Sequence, residues 1–361
     1  MMKETESIVD ILMQLVSIPS LSGREKEISM FVYDYLDELG VKPQLQEVYK
    51  TGYNVVAKLG RGNRLLLCGH LDTVSELDMK DPYKPFLKNG KIYGRGACDM
   101  KGGIAIMISL LEKCVKKGRE PDVTFAFLVD EELHGRGAKE LLARGVDAKE
   151  CIILEPTSLD VCSGAAGCIE FTLKIFGQSG HGAAAFGQGI IQSLFHKLEQ
   201  LYEKIGSKFN VIDSVQFPII NLGMVRGGFG GWVIPAEAEA SVLIHFHPKF
   251  SFKELEEFIV SEIESTSNMK FELVHGCDGY ISQTSLTDKL VESRQKIMGD
   301  RPRIRIFESE SDANTLYHKG GISSIIFGPG HLANAHSSVE NVEVSQLINA
   351  RDILFNLLEN L

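Results

Sequence analysis

Val123-Thr124-Phe125-Ala126-Phe127-Leu128-Val129, seven residues with one polar side chain, runs straight into Asp130-Glu131-Glu132. The run is too short for a helix and too uniformly apolar for a strand with one wet face, so it reads as a strand covered on both sides. Arg64-Leu65-Leu66-Leu67-Cys68 and Cys151-Ile152-Ile153-Leu154 have the same character, and Asn54-Val55-Val56-Ala57 is a further short apolar run. Between them, Gly103 to Lys117 reads as a helix stopped by Gly118, and two opening helices follow from the spacing of Ile8, Ile11, Leu12, Leu15 and Val16 and of Ile28, Phe31, Val32, Tyr35 and Leu39. Strands alternating with helices predict an α/β fold: a mixed, largely parallel sheet flanked by helices, with ligands gathered beyond the carboxyl ends of its strands. His70, Glu131, Glu132 and Glu155 each fall just after such a run.

The middle of the chain follows another pattern. Strands at 169–176, 215–224, 236–246 and 269–274 and helices at 190–205 and 252–265 give a β-α-β-β-α-β order, a ferredoxin-like unit. A helix at 286–298, a strand at 323–327 and a helix at 344–358 then read as the first domain resuming. The expected organisation is a catalytic domain at 1–166 and 278–361 with a lid and dimerisation domain inserted at 167–277.

With 361 residues, 44% of them hydrophobic, the chain can bury a sizeable core. A net charge of -10 argues against a nucleic-acid partner. No segment approaches the roughly 18 apolar residues of a membrane span, and the acidic start predicts neither signal nor transit peptide. Seven scattered cysteines do not form a disulfide framework, which points to a cytoplasmic protein. Cys162 and Cys168 bracket Ser-Gly-Ala-Ala-Gly, a spacing open to a metal or redox role, but with no CxxC pair they read first as buried free thiols.

Chemistry concentrates around Asp99, in Gly94-Arg95-Gly96-Ala97-Cys98-Asp99-Met100-Lys101-Gly102-Gly103, with Gly69-His70-Leu71-Asp72-Thr73 upstream. One imidazole and several carboxylates at element ends suit a pair of metal ions. Asp72, two residues beyond His70, reads as the acceptor that orients the imidazole. Taken singly, Asp130-Glu131-Glu132 is a solvated first turn of a helix near Gly137 and His70 a satisfied core histidine. Together with Asp99 and His336 the metal reading prevails. His134, His196, His275, His318 and His331 have no motif around them and read as structural or surface residues. The Gly227-Gly228-Phe229-Gly230-Gly231 loop lacks the Lys-Ser/Thr ending and following helix of a phosphate loop.

Read in register, His70-x-Asp72, Gly94-Arg-Gly-x-x-Asp99-Met-Lys-Gly-Gly103, Glu131-Glu132, Glu155-Pro156-Thr157, and Gly328-Pro329-Gly330 with His336 and Glu340 resemble the di-zinc metallopeptidases and deacylases that include acetylornithine deacetylase, succinyl-diaminopimelate desuccinylase, aminoacylase and carboxypeptidase G. The resemblance implies one zinc on His70, Asp99 and Glu155 and a second on Asp99, Glu132 and His336, with Asp99 bridging and Co²⁺ or Mn²⁺ able to substitute. It further implies Glu131 as general base, a cis peptide after Asp99, and a homodimer in which His181 of the inserted domain reaches the partner's site to stabilise the oxyanion. The charges agree, since two Zn²⁺ against the carboxylates of Asp99, Glu132 and Glu155 leave a net positive site that can lower the pKa of a bound water to about 7. Adjacent side chains in extended backbone point to opposite sides, which lets Glu132 bind metal while Glu131 takes a proton.

Two departures from those relatives bear on substrate. Trp232 precedes Val233-Ile234-Pro235 where Asn is common, and His245 stands where many relatives carry an Arg that pairs the substrate carboxylate. Imidazole does not reproduce a bidentate guanidinium, so His245, His247 or Arg226 takes over that contact or the substrate is not a standard N-acyl α-amino acid. The expected function is hydrolysis of the amide of a small N-acyl amino acid or a similar compound. A di- or tripeptidase is the first alternative and a catalytically silent binding protein the second. Retention of Glu131 with all five apparent ligands argues against the silent form.

Overall fold

The computed structural model describes residues 2–184, 189–213, 215–264 and 266–361. The chain divides into two compact units: residues 1–163, 282–305 and 311–361 in the first, and 164–281 with 306–310 in the second.

In the first unit a sheet runs in the order Gln44–Tyr49, Gly52–Leu59, Val123–Leu128, Leu65–His70, Glu150–Ile153, Ser323–Ile326. Its centre is parallel: Leu65–His70 lies between Val123–Leu128 and Glu150–Ile153, and Ser323–Ile326 continues alongside the latter. Gly52–Leu59 and Gln44–Tyr49 add an antiparallel edge. Every residue of Leu65–His70 and Val123–Leu128 is buried, as continuous apolar runs in a sheet covered on both faces require. The helix Lys101–Lys116 is buried along most of its length, and it packs with the helices Met2–Ser17 and Val344–Glu359 into one apolar core. Several elements of this unit escape the apolar-run reading, among them the helix Asp312–Gly320. Gln44–Tyr49 is a polar edge strand, and the short strands Phe86–Lys88, Lys91–Tyr93 and Asn341–Glu343 form a separate sheet.

The second unit has the ferredoxin-like order: a four-stranded antiparallel sheet Ile219–Gly227, Glu237–Phe246, Gly167–Phe176, Met269–Cys277, with the helices Ile190–Lys208 and Phe252–Glu264 on its apolar face. The strand expected at 215–224 is broken by Pro218, which follows a cis bond from Phe217, into Gln216–Phe217 and Ile219–Gly227. The last strand continues past Val274 to Cys277 through a register shift between Leu273 and His275. The helix expected to reach Ser265 ends at Glu264, and Ser265 itself lies outside the described residues.

Candidate metal centre

His70 is the last residue of its strand and is 1% exposed. Its Nδ1 lies 2.9 Å from the backbone carbonyl oxygen of Asp72. A carbonyl only accepts, so Nδ1 carries a proton, and the ring is held with Nε2 turned toward the site. Asp72 thus orients His70 through its main chain. Its carboxylate, 3.7 Å from Nδ1, accepts instead from the backbone N–H groups of Glu131 and Glu132, both at 3.1 Å, and from the Ser22 hydroxyl at 2.7 Å. One buried side chain therefore sets the carboxylate pair that follows Val123–Leu128.

Asp99 stands between two imidazoles. Its Oδ1 is 3.1 Å from Nε2 of His70, and its Oδ2 is 3.4 Å from Nε2 of His336. The Nε2 of His336 also lies 3.1 Å from Oε2 of Glu132, and Oε1 of Glu155 is 3.8 Å from Nε2 of His70. Two halves of a donor set thus share one carboxylate. The loop that aims Asp99 is held by Glu340, whose buried carboxylate accepts from the N–H groups of Gly96 (3.0 Å), Cys98 (2.9 Å) and Asp99 (3.1 Å) and pairs with buried Arg95 at 2.7 Å. The peptide bond from Asp99 to Met100 is cis. Asp130 adopts a left-handed φ of 66° as the chain turns, with its carboxylate pinned by Arg136 at 2.6 and 2.9 Å.

The electrostatics are those of a site built for cations. Burial raises the Glu131 and Glu155 carboxyls well above their ordinary range while His70 opposes the rise; the charge of Glu155 adds to the effect at Glu131, and those of Asp99 and Glu132 add to it at Glu155. Glu132 is raised by burial and by Asp99. Asp312, the first residue of the helix Asp312–Gly320, is buried and pushed up to about 7, mainly by burial, although its neighbour His70 opposes the rise. Among carboxyls this crowded, divalent cations would do what the imidazoles do only in part. The donor chemistry fits such ions: Nε2 of His70 and oxygens of Asp99 and Glu132 lie within 4.8 Å of one another, and Oε1 of Glu155 is buried without a hydrogen-bond partner.

His70, Asp72, Asp99, Glu131, Glu132, Glu155 and His336 all belong to the first unit, whereas His181, Arg226, Trp232 and His245 belong to the second. His181 sits on an exposed two-residue strand paired with Val233, its ring edge-on to the exposed Trp232 at 6.3 Å. Arg226 is exposed, 3.9 Å from Glu239. His245 is largely buried within its sheet, and burial lowers its pKa. Asp312 lies outside every sequence motif, whereas Lys101 and Glu340 fall within the motif order with no role of their own. Lys101 is fully buried, its Nζ donating to the carbonyl of Ile18 at 2.8 Å. Asp312 has no sequence signal at all.

A parallel-centred α/β unit that joins two imidazoles and several buried carboxylates through one shared aspartate defines a metal-dependent hydrolase. The chain belongs to the peptidase family M20/M25/M40, whose profile matches residues 66–360, and members of this family hydrolyse amide bonds. It is 26% identical to the acetylornithine deacetylase of Proteus mirabilis over 98% of this chain and 96% of that protein. In structure it is similar to a metallo-carboxypeptidase of the same family from Sulfolobus solfataricus (17% identity, 98% of each chain, TM-score 0.80). It is also similar to a tripeptidase from Staphylococcus aureus (20% identity, 99% and 98%, TM-score 0.79). No helix among the described residues is long and apolar enough to cross a membrane.

Proposed function

We propose that this chain is a di-zinc deacylase that cleaves the amide of a small N-acyl amino acid, with Glu131 as general base. The observation that carries this reading is Asp99, whose two oxygens face His70 and His336 while Glu132 and Glu155 flank the two halves. His70, Asp99 and Glu155 would hold one ion, and Asp99, Glu132 and His336 the other. When bound, the two ions supply Lewis-acid polarisation of the amide carbonyl and acidify water.

The protein's own residues do the rest. Glu131 takes a proton from the attacking water and returns it to the leaving nitrogen, a role suited by the raised pKa that burial gives its carboxyl. Asp72 holds the backbone of Glu131 and Glu132, so the proton carrier and its metal-binding neighbour keep a fixed spacing. His245, Trp232 and Arg226 are the proposed substrate contacts. The acyl-amino-acid preference is supported by curated relatives such as the Proteus mirabilis acetylornithine deacetylase.

The same reading makes the protein a cytoplasmic homodimer joined through the segment 167–277, with His181 completing the partner's oxyanion site. Its support is the exposure of His181, Trp232 (79%) and Phe229 (84%) on that segment and the absence of a disulfide among the described residues. The test is a panel of N-acetyl, N-succinyl and N-formyl amino acids beside unblocked dipeptides, run on zinc-loaded protein and on Glu131→Ala. Turnover of acylated substrates with a loss of roughly 10²- to 10⁴-fold in the variant is expected. Cleavage of dipeptides alone makes the protein a peptidase, and full activity in Glu131→Ala overturns the mechanism.

A further inference from the structure

Four side chains of the second unit that amide hydrolysis leaves unused meet at one end of its sheet. Cys168, near the start of Gly167–Phe176, pairs in antiparallel register with Cys277, the last residue of Met269–Cys277, and the two sulfurs are 3.9 Å apart. The register shift between Leu273 and His275 is what makes this possible. Phe271 and Leu273 oppose Leu173 and Phe171, whose side chains form the apolar core under the helices. Past the shift, His275 opposes Glu170 and Cys277 opposes Cys168, so both have moved to the sheet's other face. Without that one-residue slip His275 and Cys277 would point into the core. Glu310, in the segment Ile306–Glu310 of the same unit, brings its Oε2 to 3.0 Å from Nε2 of His275 and 2.9 Å from Sγ of Cys277.

We propose that Cys168, His275, Cys277 and Glu310 form a four-ligand site for a thiophilic divalent cation of the zinc type, sharing no residue with the His70–Asp99 centre. The four donor atoms all lie within 4.8 Å of one another. A tetrahedral ion with Zn–S bonds of about 2.3 Å sets its two sulfurs about 3.8 Å apart, and the observed separation is 3.9 Å. Imidazole and carboxylate donors at about 2.0–2.1 Å would stand about 3.4 Å apart, and a sulfur and a carboxylate oxygen about 3.5 Å apart, so Glu310, at 3.0 Å from His275 and 2.9 Å from Cys277, would withdraw from both on binding the ion.

Two thiols with an imidazole select zinc over calcium or magnesium, which prefer all-oxygen shells. Four protein donors leave no open position, so the site is structural: it ties the start of one strand, the end of its neighbour and the segment 306–310 together. A further polar group stands beside the cluster. His245 opposes Cys168 on the other neighbouring strand, feels the charge of Glu310, and has a buried Nδ1 with no hydrogen-bond partner.

The test separates this site from the first by the ligand atom. The His70–Asp99 centre offers only nitrogen and oxygen, so a thiolate-to-cobalt charge-transfer band can come only from cysteine ligation. Full-length protein, reduced and stripped of metal, is titrated with cobalt chloride and, separately, with zinc chloride followed by elemental analysis. The expected result is a near-ultraviolet thiolate band, protection of two thiols from alkylation, and one zinc equivalent that Cys277→Ser loses while the His70 centre keeps its metal and amide turnover. His275→Ala, changed on an exposed side chain and so safe for folding, should weaken the cobalt affinity at least about tenfold. The proposal is overturned if the band is missing at saturating cobalt with both thiols still reactive. It is equally overturned if the unreduced protein has lost two hydrogens in a Cys168–Cys277 disulfide.

Discussion

The Asp72 carboxylate is spent on two backbone N–H groups and the Ser22 hydroxyl, which makes it a positioning residue for Glu131 and Glu132. Asp72→Asn keeps the shape but replaces one acceptor with a donor. It should lower kcat about 10- to 100-fold with KM and metal content little changed, and steady-state kinetics beside elemental analysis reads both. Glu340 carries a different burden, since its partner Arg95 is also buried and would be left as an uncompensated charge. Glu340→Ala should therefore cost about 3–5 kcal/mol, visible as an early thermal transition. The three bonds it accepts from the backbone N–H groups of Gly96, Cys98 and Asp99 should be lost with it, so a variant of unchanged stability would mean that loop is held by something else.

At the scale of elements, the strand Leu65–His70 illustrates why the chemistry sits at strand ends. Its middle has no freedom: Leu67 is fully buried between parallel neighbours, and Leu67→Ala should cost about 2–5 kcal/mol in denaturant unfolding. The helix Lys26–Glu38 makes a prediction in pH. Its N-cap Glu25 is buried, with Oε2 unpartnered, and burial raises its pKa from 4.5 to about 7 despite the hydrogen bond from Tyr49. Below pH 4.5 both folded and unfolded chains hold the proton, and stability is unaffected. As the pH rises from 4.5 to about 7 the unfolded chain releases the proton first, so stability falls across that window. Glu25→Gln removes this dependence, and its Tm relative to the parent should rise between pH 4.5 and 8. A constant difference would assign the raised pKa no thermodynamic weight. Element types were legible where the apolar pattern was continuous, as in 123–129, and were missed where strands are short and polar, as in Gln44–Tyr49 and Asn341–Glu343, because edge pairing leaves no periodic signal.

For the whole molecule, ions that bind only the folded chain stabilise it by mass action, about 2.7 kcal/mol at a hundredfold excess over Kd. Chelation should lower Tm, and zinc added back should restore it. The parallel-centred sheet and the inserted ferredoxin-like order were legible in the chain's own sequence, and its motifs pointed to the side chains that the fold brings together around Asp99. Those depend on local apolar runs and on motifs that lie at the ends of the elements they define. Only the tertiary structure decided that Asp72 grips the backbone of Glu131 and Glu132, that Glu340 holds the Asp99 loop from far along the chain, and that Asp312 stands within the field of His70. It also turned Cys168, read as a buried thiol, and His275, read as a structural or surface residue, into one cluster with Cys277 and Glu310. The physical reason is common to all of these. They are long-range contacts set by register, and a single-residue slip between Leu273 and His275 changes which face a side chain occupies without leaving a trace in composition or spacing.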